Sequence, residues 1–445
     1  MGLYIIKNAS VINENKIIVS DILIENDYIT KIDVNIPIPK NAIVINAEGL
    51  YAMPGVIDDQ VHFREPGLTH KATIETESKA AVAGGITSFI EQPNTVPNAT
   101  TQELLEQKYQ IAAQTSYANY SFMMGGTNDN LDELLKTDVK NVAGIKLFLG
   151  SSTGNMLVDN PDTLEKIFSN VKTLIAVHCE DETTIKNNLA HYKSIYGEDI
   201  PVTCHSAIRS AEACYISSSK AVALAKKTGA RLHIFHISTA KELELFTNTI
   251  PVEEKQITAE VCIHHLWFTD QDYINKGNFI KWNPAVKTEQ DREALWQALL
   301  SDKIDVIATD HAPHTKEEKQ NKYLQAPSGG PLVQHALVAM LENYKKSKIS
   351  LEKIVEKMCH NPAKIFKIEK RGFIKEGYFA DIVLFNLNSP WQVQQENILY
   401  KCGWSPFENE LFQCKITHTF VNGSLVYNQG VFNEVKAGKR LTFNR

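Results

Sequence analysis

The chain has 445 residues, of which 43% are hydrophobic and 22% are charged, and its formal net charge is −6. This composition is ordinary for a soluble enzyme, and the length suits a barrel of about 250–300 residues with an accessory domain. The absence of a basic patch argues against a nucleic-acid partner, and no apolar stretch reaches the ~20 residues that a membrane span needs. We therefore expect the partner to be a small-molecule substrate, with no nucleic acid and no membrane.

The cysteines and the amino terminus bear on the cellular compartment. Seven cysteines are scattered without a Cys-x-x-Cys pair, which is typical of reduced thiols in a cytosolic protein. The first residues lack the charged region, apolar region and cleavage site of a signal peptide. Together these features predict a cytoplasmic location.

In chain order, residues 3–50 come first, and their short β-rich runs separated by turns predict antiparallel β structure. From Pro54 onward, apolar runs alternate with helix-like segments. The eight apolar runs lie near residues 55–62, 86–92, 119–126, 142–149, 173–178, 231–237, 257–263 and 304–310. Eight strands alternating with helices predict an α/β fold, the (β/α)8 TIM-type barrel. An open doubly wound sheet is the alternative, but no GxGxxG pattern follows the first run.

Beyond about residue 366 the pattern returns to β strands and turns. Residues 1–52 and 366–445 each contain too few residues to form a separate hydrophobic core readily. Chain ends often lie close together, so the two segments can share one core. We therefore predict a barrel over residues 53–365 and a small composite β-sandwich domain built from both chain ends.

Polar residues that suit metal binding follow the apolar runs. Their carboxyl ends carry His62, His178, His236, the pair His264-His265, and Asp310. In a barrel these ends converge on one site, and imidazole with carboxylate is the ligand set of zinc and related ions. A single histidine more often has a structural role, but several strand ends that each offer a ligand indicate a metal site.

Lys146 lies inside the fourth apolar run, where burial of an ammonium group costs free energy. One interpretation places its amine at the rim of the strand, in water. The other is a lysine carbamylated by CO2, which becomes a carboxylate-like bridge between two metal ions. The sequence favours the second interpretation because of the histidines around it.

A series of motifs resembles the class I dihydroorotases, within the cyclic amidohydrolases of the amidohydrolase superfamily. The motifs appear in the family's order over residues 53–385: DDQVHFREPGLTHK, EQPNT, GIKLFLG, VHCEDE, LHIFHIST, WNPAVK, IATDHAPHTKEEK and NPAKIF with GFIKEGYFADIVLFN. Hydantoinases and allantoinases share the barrel and the metal site, but differ after the aspartate of the last strand. The combination of HFREPG with ATDHAPHTKEEK is therefore the specific part of the resemblance.

The resemblance implies a role for each matching residue. The implied metal ligands are His62, Lys146, His178, His236 and Asp310, which would hold one or two Zn2+ ions. Asp310 would also carry the proton during catalysis. The implied substrate-binding residues are Arg64, Asn94, Asn283 and His314, and the guanidinium of Arg64 suits a free carboxylate.

Two positions depart from the family pattern, and one histidine is set aside. The first strand of the family carries His-x-His, whereas this chain has Gln60 before His62, and an amide oxygen binds zinc more weakly than imidazole. Many members use an aspartate beyond the fourth strand as the bridge, for which Asp159 is the nearest candidate, ranked below Lys146. His233 stands an odd number of positions before His236, so strand alternation predicts that it faces the other side of the strand and serves in packing or in support of the ligands.

The implied reaction is the reversible cyclisation of N-carbamoyl-L-aspartate to L-dihydroorotate and water in pyrimidine (UMP) biosynthesis. A hydantoinase, dihydropyrimidinase or allantoinase is one alternative, although a neutral substrate has less use for Arg64. A non-catalytic structural partner of aspartate transcarbamoylase is another, suggested by Gln60. We also expect a homo-oligomer, in which association with aspartate transcarbamoylase is an open possibility.

Overall fold

The computed structural model describes residues 2–150 and 156–445, and over these residues the chain forms nineteen strands. In chain order they are β1 (Leu3–Asn13), β2 (Lys16–Glu25), β3 (Tyr28–Asp33), β4 (Ile43–Asn46), β5 (Tyr51–Pro54), β6 (Val56–Val61), β7 (Ile86–Glu91), β8 (Asn119–Gly125), β9 (Gly144–Phe148), β10 (Ile175–His178), β11 (Leu232–Ile234), β12 (Ile257–Cys262), β13 (Val306–Ala308), β14 (Ile382–Asn386), β15 (Trp391–Gln392), β16 (Leu411–Phe412), β17 (Lys415–Val421), β18 (Ser424–Asn428) and β19 (Val431–Phe432).

The α-helices lie mostly between the strands of the central part of the chain. They are α1 (Ile74–Ala83), α2 (Gln102–Thr115), α3 (Leu131–Leu135), α4 (Pro161–Asn170), α5 (Glu182–Tyr196), α6 (His205–Ile208), α7 (Ala211–Thr228), α8 (Ile263–Trp267), α9 (Tyr273–Lys276), α10 (Glu289–Leu300), α11 (Lys316–Lys319), α12 (Ala336–Lys345), α13 (Leu351–Val355) and α14 (Asn361–Phe366). Within the described ranges, no helix combines the length and hydrophobicity needed to cross a membrane.

Strands β6 to β13 form one parallel sheet in which neighbours in the chain are neighbours in space. The sheet closes where the first strand meets the segment after the last: Val61 bridges His311, and the His62 N–H donates to the His311 carbonyl at 2.7 Å. Asp58 reinforces this closure by accepting a hydrogen bond from the Thr309 N–H at 3.2 Å. The predicted eight-stranded barrel is confirmed, and each strand falls within one of the eight apolar runs.

The barrel strands are apolar on both faces because both faces are covered. Ile57, Ile90, Met123 and Phe235 belong to one buried cluster that also includes side chains of α14, and this cluster fills the lower barrel. The alternate residues pack outward against the helices in a second, larger core. Two covered faces explain why the sequence shows continuous apolar runs instead of alternation.

Local signals fix several of the helices that surround the barrel. Thr73 caps α1, Thr101 caps α2 and Ser210 caps α7, each by accepting a hydrogen bond from a backbone N–H of the first turn. Helix α7 ends at Gly229, whose φ of 80° is the left-handed conformation that glycine adopts without strain. These caps set where each helix begins or ends relative to the strand before it.

Both chain ends contribute to a second sheet of nine strands. Its order is β19-β18-β17-β14-β5-β1-β2-β3, with β4 paired to the side of β1. Strand β5 is parallel to β1 and antiparallel to β14, so it joins the amino-terminal strands to the carboxy-terminal ones. The chain leaves this sheet at Gly55 and enters the barrel at Val56. The motif that contains His62 and Arg64 therefore follows the first barrel strand.

Candidate active site

A cavity of about 230 Å3 lies at the carboxyl ends of the barrel strands. Seven of the nine predicted site residues line it, together with residues that the sequence did not single out for this role. The lining residues are Gln60, His62, Arg64, Lys146, Phe148, His178, Arg209, His236, Trp282, Asn283, Asp310, Ala312, Ser328 and Gly329. The two remaining predicted residues, Asn94 and His314, lie directly behind this lining.

His62 and Asp310 face each other across the cavity wall. The His62 Nε2 atom lies 3.1 Å from Asp310 Oδ1, and the His62 Nδ1 atom lies 2.8 Å from Asn94 Oδ1. When Nδ1 donates to Asn94, Nε2 keeps its lone pair and meets a carboxylate oxygen, so two acceptors point at one another. Two acceptors in contact need a cation, and the pair therefore fits a metal ligand set.

His178 and His236 form the second half of the candidate metal site. Their Nδ1 and Nε2 atoms, respectively, lie 3.0 Å apart, whereas two nitrogens on one tetrahedral zinc ion are roughly 3.3 Å apart. Burial lowers the pKa of both imidazoles, so both rings are neutral and offer lone pairs near neutral pH. The donor set of these two histidines with His62 and Asp310 fits a zinc-type ion.

Lys146 is buried below these groups, and its amine rests on aromatic rings. Its Nζ atom lies 4.1 Å from the centre of the Phe235 ring and 4.9 Å from that of Phe148. Within the described part of the chain, no carboxylate comes within 4.0 Å of this amine to form an ion pair. Burial lowers the pKa of Lys146 to about 7, against the attraction of Asp310 and Glu260, which leaves much of the amine neutral.

The structure shows where the two positions that depart from the family pattern lie. Asp159 is exposed and accepts a hydrogen bond from the Asn128 side chain at 3.0 Å, outside the cavity lining. Gln60 lines the cavity beside His62, and its Oε1 atom accepts a long contact of 3.9 Å from the Cys262 thiol. Gln60 thus occupies the place where a ligand is expected, with its amide oxygen weakly held.

Arg64 supplies a buried positive charge to the cavity. Its Nε donates to the Pro313 carbonyl at 3.0 Å, and one terminal nitrogen lies 3.0 Å from His314 Nε2. Burial lowers the pKa of Arg64 to about 10, so the group stays charged at neutral pH. His314 is held between Arg64, the Lys71 amine at 3.0 Å and the Ser328 carbonyl at 3.0 Å, and it therefore orients the guanidinium from behind.

Three cavity residues have backbone conformations that are uncommon for their type. Arg64, His236 and Asp310 have φ angles of 69°, 42° and 47°, in the left-handed region that side chains with a Cβ rarely adopt. Such conformations cost roughly 1–3 kcal/mol each and cluster at functional sites. Each of them follows the end of a barrel strand, where the backbone turns and aims the side chain into the cavity.

The structure adds Glu180 and Arg209, which the sequence did not single out. The fully buried Glu180 carboxylate contacts His178 Nε2 at 3.1 Å and forms an ion pair with Arg209. Although burial alone would raise it, the pKa of Glu180 is lowered to about 2, first by Arg209 and then by His178. Glu180 therefore orients both His178, a candidate metal ligand, and Arg209, the second positive charge of the cavity. Arg209 lies between α6 and α7, far from any strand end, so no local signal marks it.

The structure corrects the prediction for His233. Its ring lies in the barrel interior, 5.2 Å from the Phe235 ring centre, with Nε2 at 3.2 Å from Asp59 and 3.7 Å from Glu260. Alternation fails because β11 ends at Ile234, and the positive φ of His236 turns that residue back towards the interior. The predicted orientation is therefore wrong, and His233 belongs to a buried polar cluster whose Glu260 also accepts the His236 N–H.

The loop over residues 316–330 forms one wall of the cavity. Lys319 is buried and donates to the carbonyls of Pro327 and Gly329 at 2.9 and 2.7 Å. Gly329 has a φ of 127°, and a Cβ there would meet the Ala312 carbonyl at 2.5 Å, so only glycine fits this turn. The sequence also offers residues 149–162 as a segment that could cover the site, and residues 151–155 of it lie outside the described residues.

Known proteins resemble this chain over nearly its whole length. The model of the Amidohydrolase family matches residues 51–426. The dihydroorotase of Aquifex aeolicus is 34% identical over 430 residues, which cover 95% of this chain and 99% of that protein. The dihydroorotase of Methanosarcina acetivorans is 32% identical over 415 residues, or 91% of this chain and 87% of that protein.

Solved structures agree with this result. The L-hydantoinase (dihydropyrimidinase) from Arthrobacter aurescens superposes with a TM-score of 0.93 and 27% identity, covering 99% of this chain and 100% of that one. A dihydropyrimidinase from Brevibacillus agri, at 23% identity and a TM-score of 0.88, covers 100% of both chains and shares the fold. On the extent of the family match and of the relatives at 32–34% identity, this chain belongs to the amidohydrolase family.

Proposed function

We propose that this chain is a zinc-dependent dihydroorotase that interconverts N-carbamoyl-L-aspartate and L-dihydroorotate plus water, a step of pyrimidine biosynthesis. The observation that carries the proposal is a single cavity in which His62, His178, His236 and Asp310 stand beside the buried Arg64. The relatives at 32–34% identity that are named dihydroorotase support the same reaction.

The residues that would hold one or two zinc ions are His62, His178, His236 and Asp310, and a carbamylated Lys146 would add a further oxygen ligand. When bound, zinc supplies Lewis-acid polarisation of a carbonyl and lowers the pKa of water towards neutrality. Gln60 offers a neutral oxygen where the family carries a histidine, so the ion near His62 would be the weaker one.

Asp310 is placed to move the proton. Its Oδ1 atom contacts His62, and its backbone carbonyl accepts a hydrogen bond from the Trp282 indole at 3.3 Å, which fixes the turn that presents the carboxylate. In ring opening, the carboxylate takes a proton from the attacking water and delivers it to the leaving ring nitrogen. In ring closure it acts in reverse, so one group serves both directions.

Arg64 and Arg209 suit the charges of the substrate. N-Carbamoyl-L-aspartate carries two carboxylates and dihydroorotate carries one, and a guanidinium offers paired donors that match a carboxylate. Both arginines line the cavity, as do Trp282 and Asn283. The substrate carboxylate that takes no part in ring closure or opening would be bound by Arg64. The positive φ of Arg64 fixes the direction of its side chain.

Two other functions make different use of the same cavity. The likeness to hydantoinase structures favours a cyclic amidase for neutral substrates as the second candidate. A scaffold that associates with aspartate transcarbamoylase would need neither the metal ligands nor Arg64.

The test is ring opening of dihydroorotate and of hydantoin, followed by ultraviolet absorbance, on protein of known zinc content. We expect turnover of dihydroorotate that follows bound zinc, and Arg64→Met should raise KM by at least tenfold because the carboxylate loses its partner. Turnover of hydantoin alone would favour the second candidate. Absence of both turnover and bound zinc would favour the scaffold.

A further inference from the structure

Below the cavity, the barrel interior contains a charged cluster that the proposed reaction does not use. It consists of Asp59 on β6, His233 on β11 and Glu260 on β12, and each residue is fully buried at 0% exposure. One ligand atom from each residue lies within 4.8 Å of the other two. Strand β6, which is distant in the sequence, and the consecutive strands β11 and β12 thus bring two carboxylates and an imidazole together in the lower barrel.

The atoms that face one another in this cluster make ion-pair contacts without hydrogen bonds of good geometry. His233 Nε2 lies 3.2 Å from Asp59 Oδ2 and 3.7 Å from Glu260 Oε2, yet neither these atoms nor Asp59 Oδ1 meets hydrogen-bond geometry. The outer atoms are satisfied: His233 Nδ1 contacts the Thr258 hydroxyl at 2.7 Å, and Glu260 Oε1 accepts the His236 N–H at 3.1 Å. Buried carboxylate oxygens without hydrogen bonds cost several kcal/mol, so the arrangement favours a cation bound between the three side chains.

We propose that Asp59, His233 and Glu260 bind a divalent transition-metal ion inside the barrel, separate from the ions held at the cavity. When His233 has lost its proton to bind the ion, the two carboxylates and the neutral imidazole carry a charge of −2, which one divalent ion neutralises. Nitrogen and carboxylate oxygen donors suit Zn2+, Mn2+ or Fe2+ and not the all-oxygen preference of Ca2+. The outer contacts of His233 and Glu260 fix the orientation of two of the three ligands, as contacts behind metal ligands generally do.

The position of this ion gives it a structural role under the cavity. The Glu260 carboxylate that would bind the ion through Oε2 holds the N–H of His236 through Oε1. His236 has the positive φ described above and is itself a candidate ligand of the cavity metal. The lower ion would thus stiffen the backbone that carries an upper ligand. Because the site is fully buried, we expect the ion to enter during folding and to exchange slowly.

The test locates and counts metal ions in the full-length protein produced with added ZnCl2 or MnCl2. Metal content is measured by plasma mass spectrometry after dialysis against a chelator, and anomalous difference maps are collected above and below the absorption edge. We expect an anomalous peak about 2.0–2.3 Å from Asp59, His233 and Glu260. We also expect Asp59→Asn to hold about one metal equivalent less than the wild type.

Two variants control for the other sources of metal. Asp310→Asn disturbs the cavity ligands, and it should keep the lower peak. Glu342→Gln alters a buried carboxylate on α12 that accepts the Gln413 N–H at 3.0 Å, and its metal content should not change. Circular dichroism establishes that each variant is folded, and Glu260→Gln replaces Asp59→Asn if the latter does not fold. Wild-type maps without a peak at this position, or a folded Asp59→Asn with unchanged metal content, would overturn the proposal.

Discussion

Replacement of the Glu180 carboxylate measures how much the buried charges of the cavity contribute to the free energy of unfolding. We expect Glu180→Gln, which keeps the shape and removes the charge, to destabilise the fold and to release Arg209 and His178 together. The pKa of this carboxyl is lowered from 4.5 to about 2. At about 1.36 kcal/mol for each tenfold change in affinity, the charged form contributes roughly 3 kcal/mol to folding. Removal of one partner of a buried ion pair generally destabilises a fold by about 3–5 kcal/mol, which agrees with this value.

The sign of the pH dependence follows from the direction of the shift. A carboxyl whose pKa is lower in the folded state stabilises fully above its unfolded pKa, and that contribution is lost as the pH falls through the folded pKa. The contribution of Glu180 is therefore complete at pH 7, falls to about 2 kcal/mol at pH 3.5 and vanishes below about pH 2. The difference between wild type and variant should shrink over the same range.

The assay is urea unfolding of wild type and variant at pH 7 and at pH 3.5. Glu165→Gln is the matched control, because Glu165 pairs with Lys227 at 2.7 Å on the surface, with both side chains more than half exposed, and it should change stability by less than about 1 kcal/mol. A Glu180→Gln variant within 1 kcal/mol of wild type at pH 7, or a difference that is the same at both pH values, would refute the reasoning.

Three further predictions concern the chemistry of the cavity. Asp310→Asn should lower kcat for dihydroorotate by at least about a thousandfold while circular dichroism stays unchanged; near-normal turnover would exclude Asp310 as the proton carrier. Burial lowers the pKa of Lys146 to about 7, so its amine is mostly neutral above that pH. The 13C NMR signal of a carbamate formed from labelled bicarbonate should therefore rise between about pH 6 and 8. If Lys146→Met gives the same signal, the carbamate is on another group. Gln60→His should tighten binding of one zinc ion at least tenfold in competition with a chelator; unchanged affinity would mean that position 60 holds no ligand.

The sequence predicted the barrel and most of the cavity because the signals for both are local. Each parallel strand is a continuous apolar run, and each run ends at the same rim, so His62, His178 and Asp310 could be assigned to one site without knowing any distance. His236 follows the same rule, although its strand ends two residues earlier. Asn94 and His314 were predicted to bind the substrate, and in the structure they lie behind His62 and Arg64.

Other features depend on contacts that the sequence does not encode locally. Arg209 reaches the cavity only because α6 and α7 carry it there and because Glu180 holds it. The alternation of a regular strand predicted that His233 faces the side opposite to His236, and the left-handed turn at His236 invalidates that rule. Asp59 and Glu260 are 201 positions apart in the printed sequence, and only closure of the barrel brings them together.

The wall over residues 316–330 has little secondary structure of its own, and two buried lysine amines hold its shape. Lys281 donates to the carbonyls of Tyr323 and Ala326 at 2.7 and 2.6 Å, as Lys319 does to those of Pro327 and Gly329. Because these bonds end on backbone carbonyls, they constrain the path of the loop and leave the identity of most of its side chains free. Residues 320–326 can thus diverge between related enzymes, and reshape access to the cavity, as long as both lysines remain.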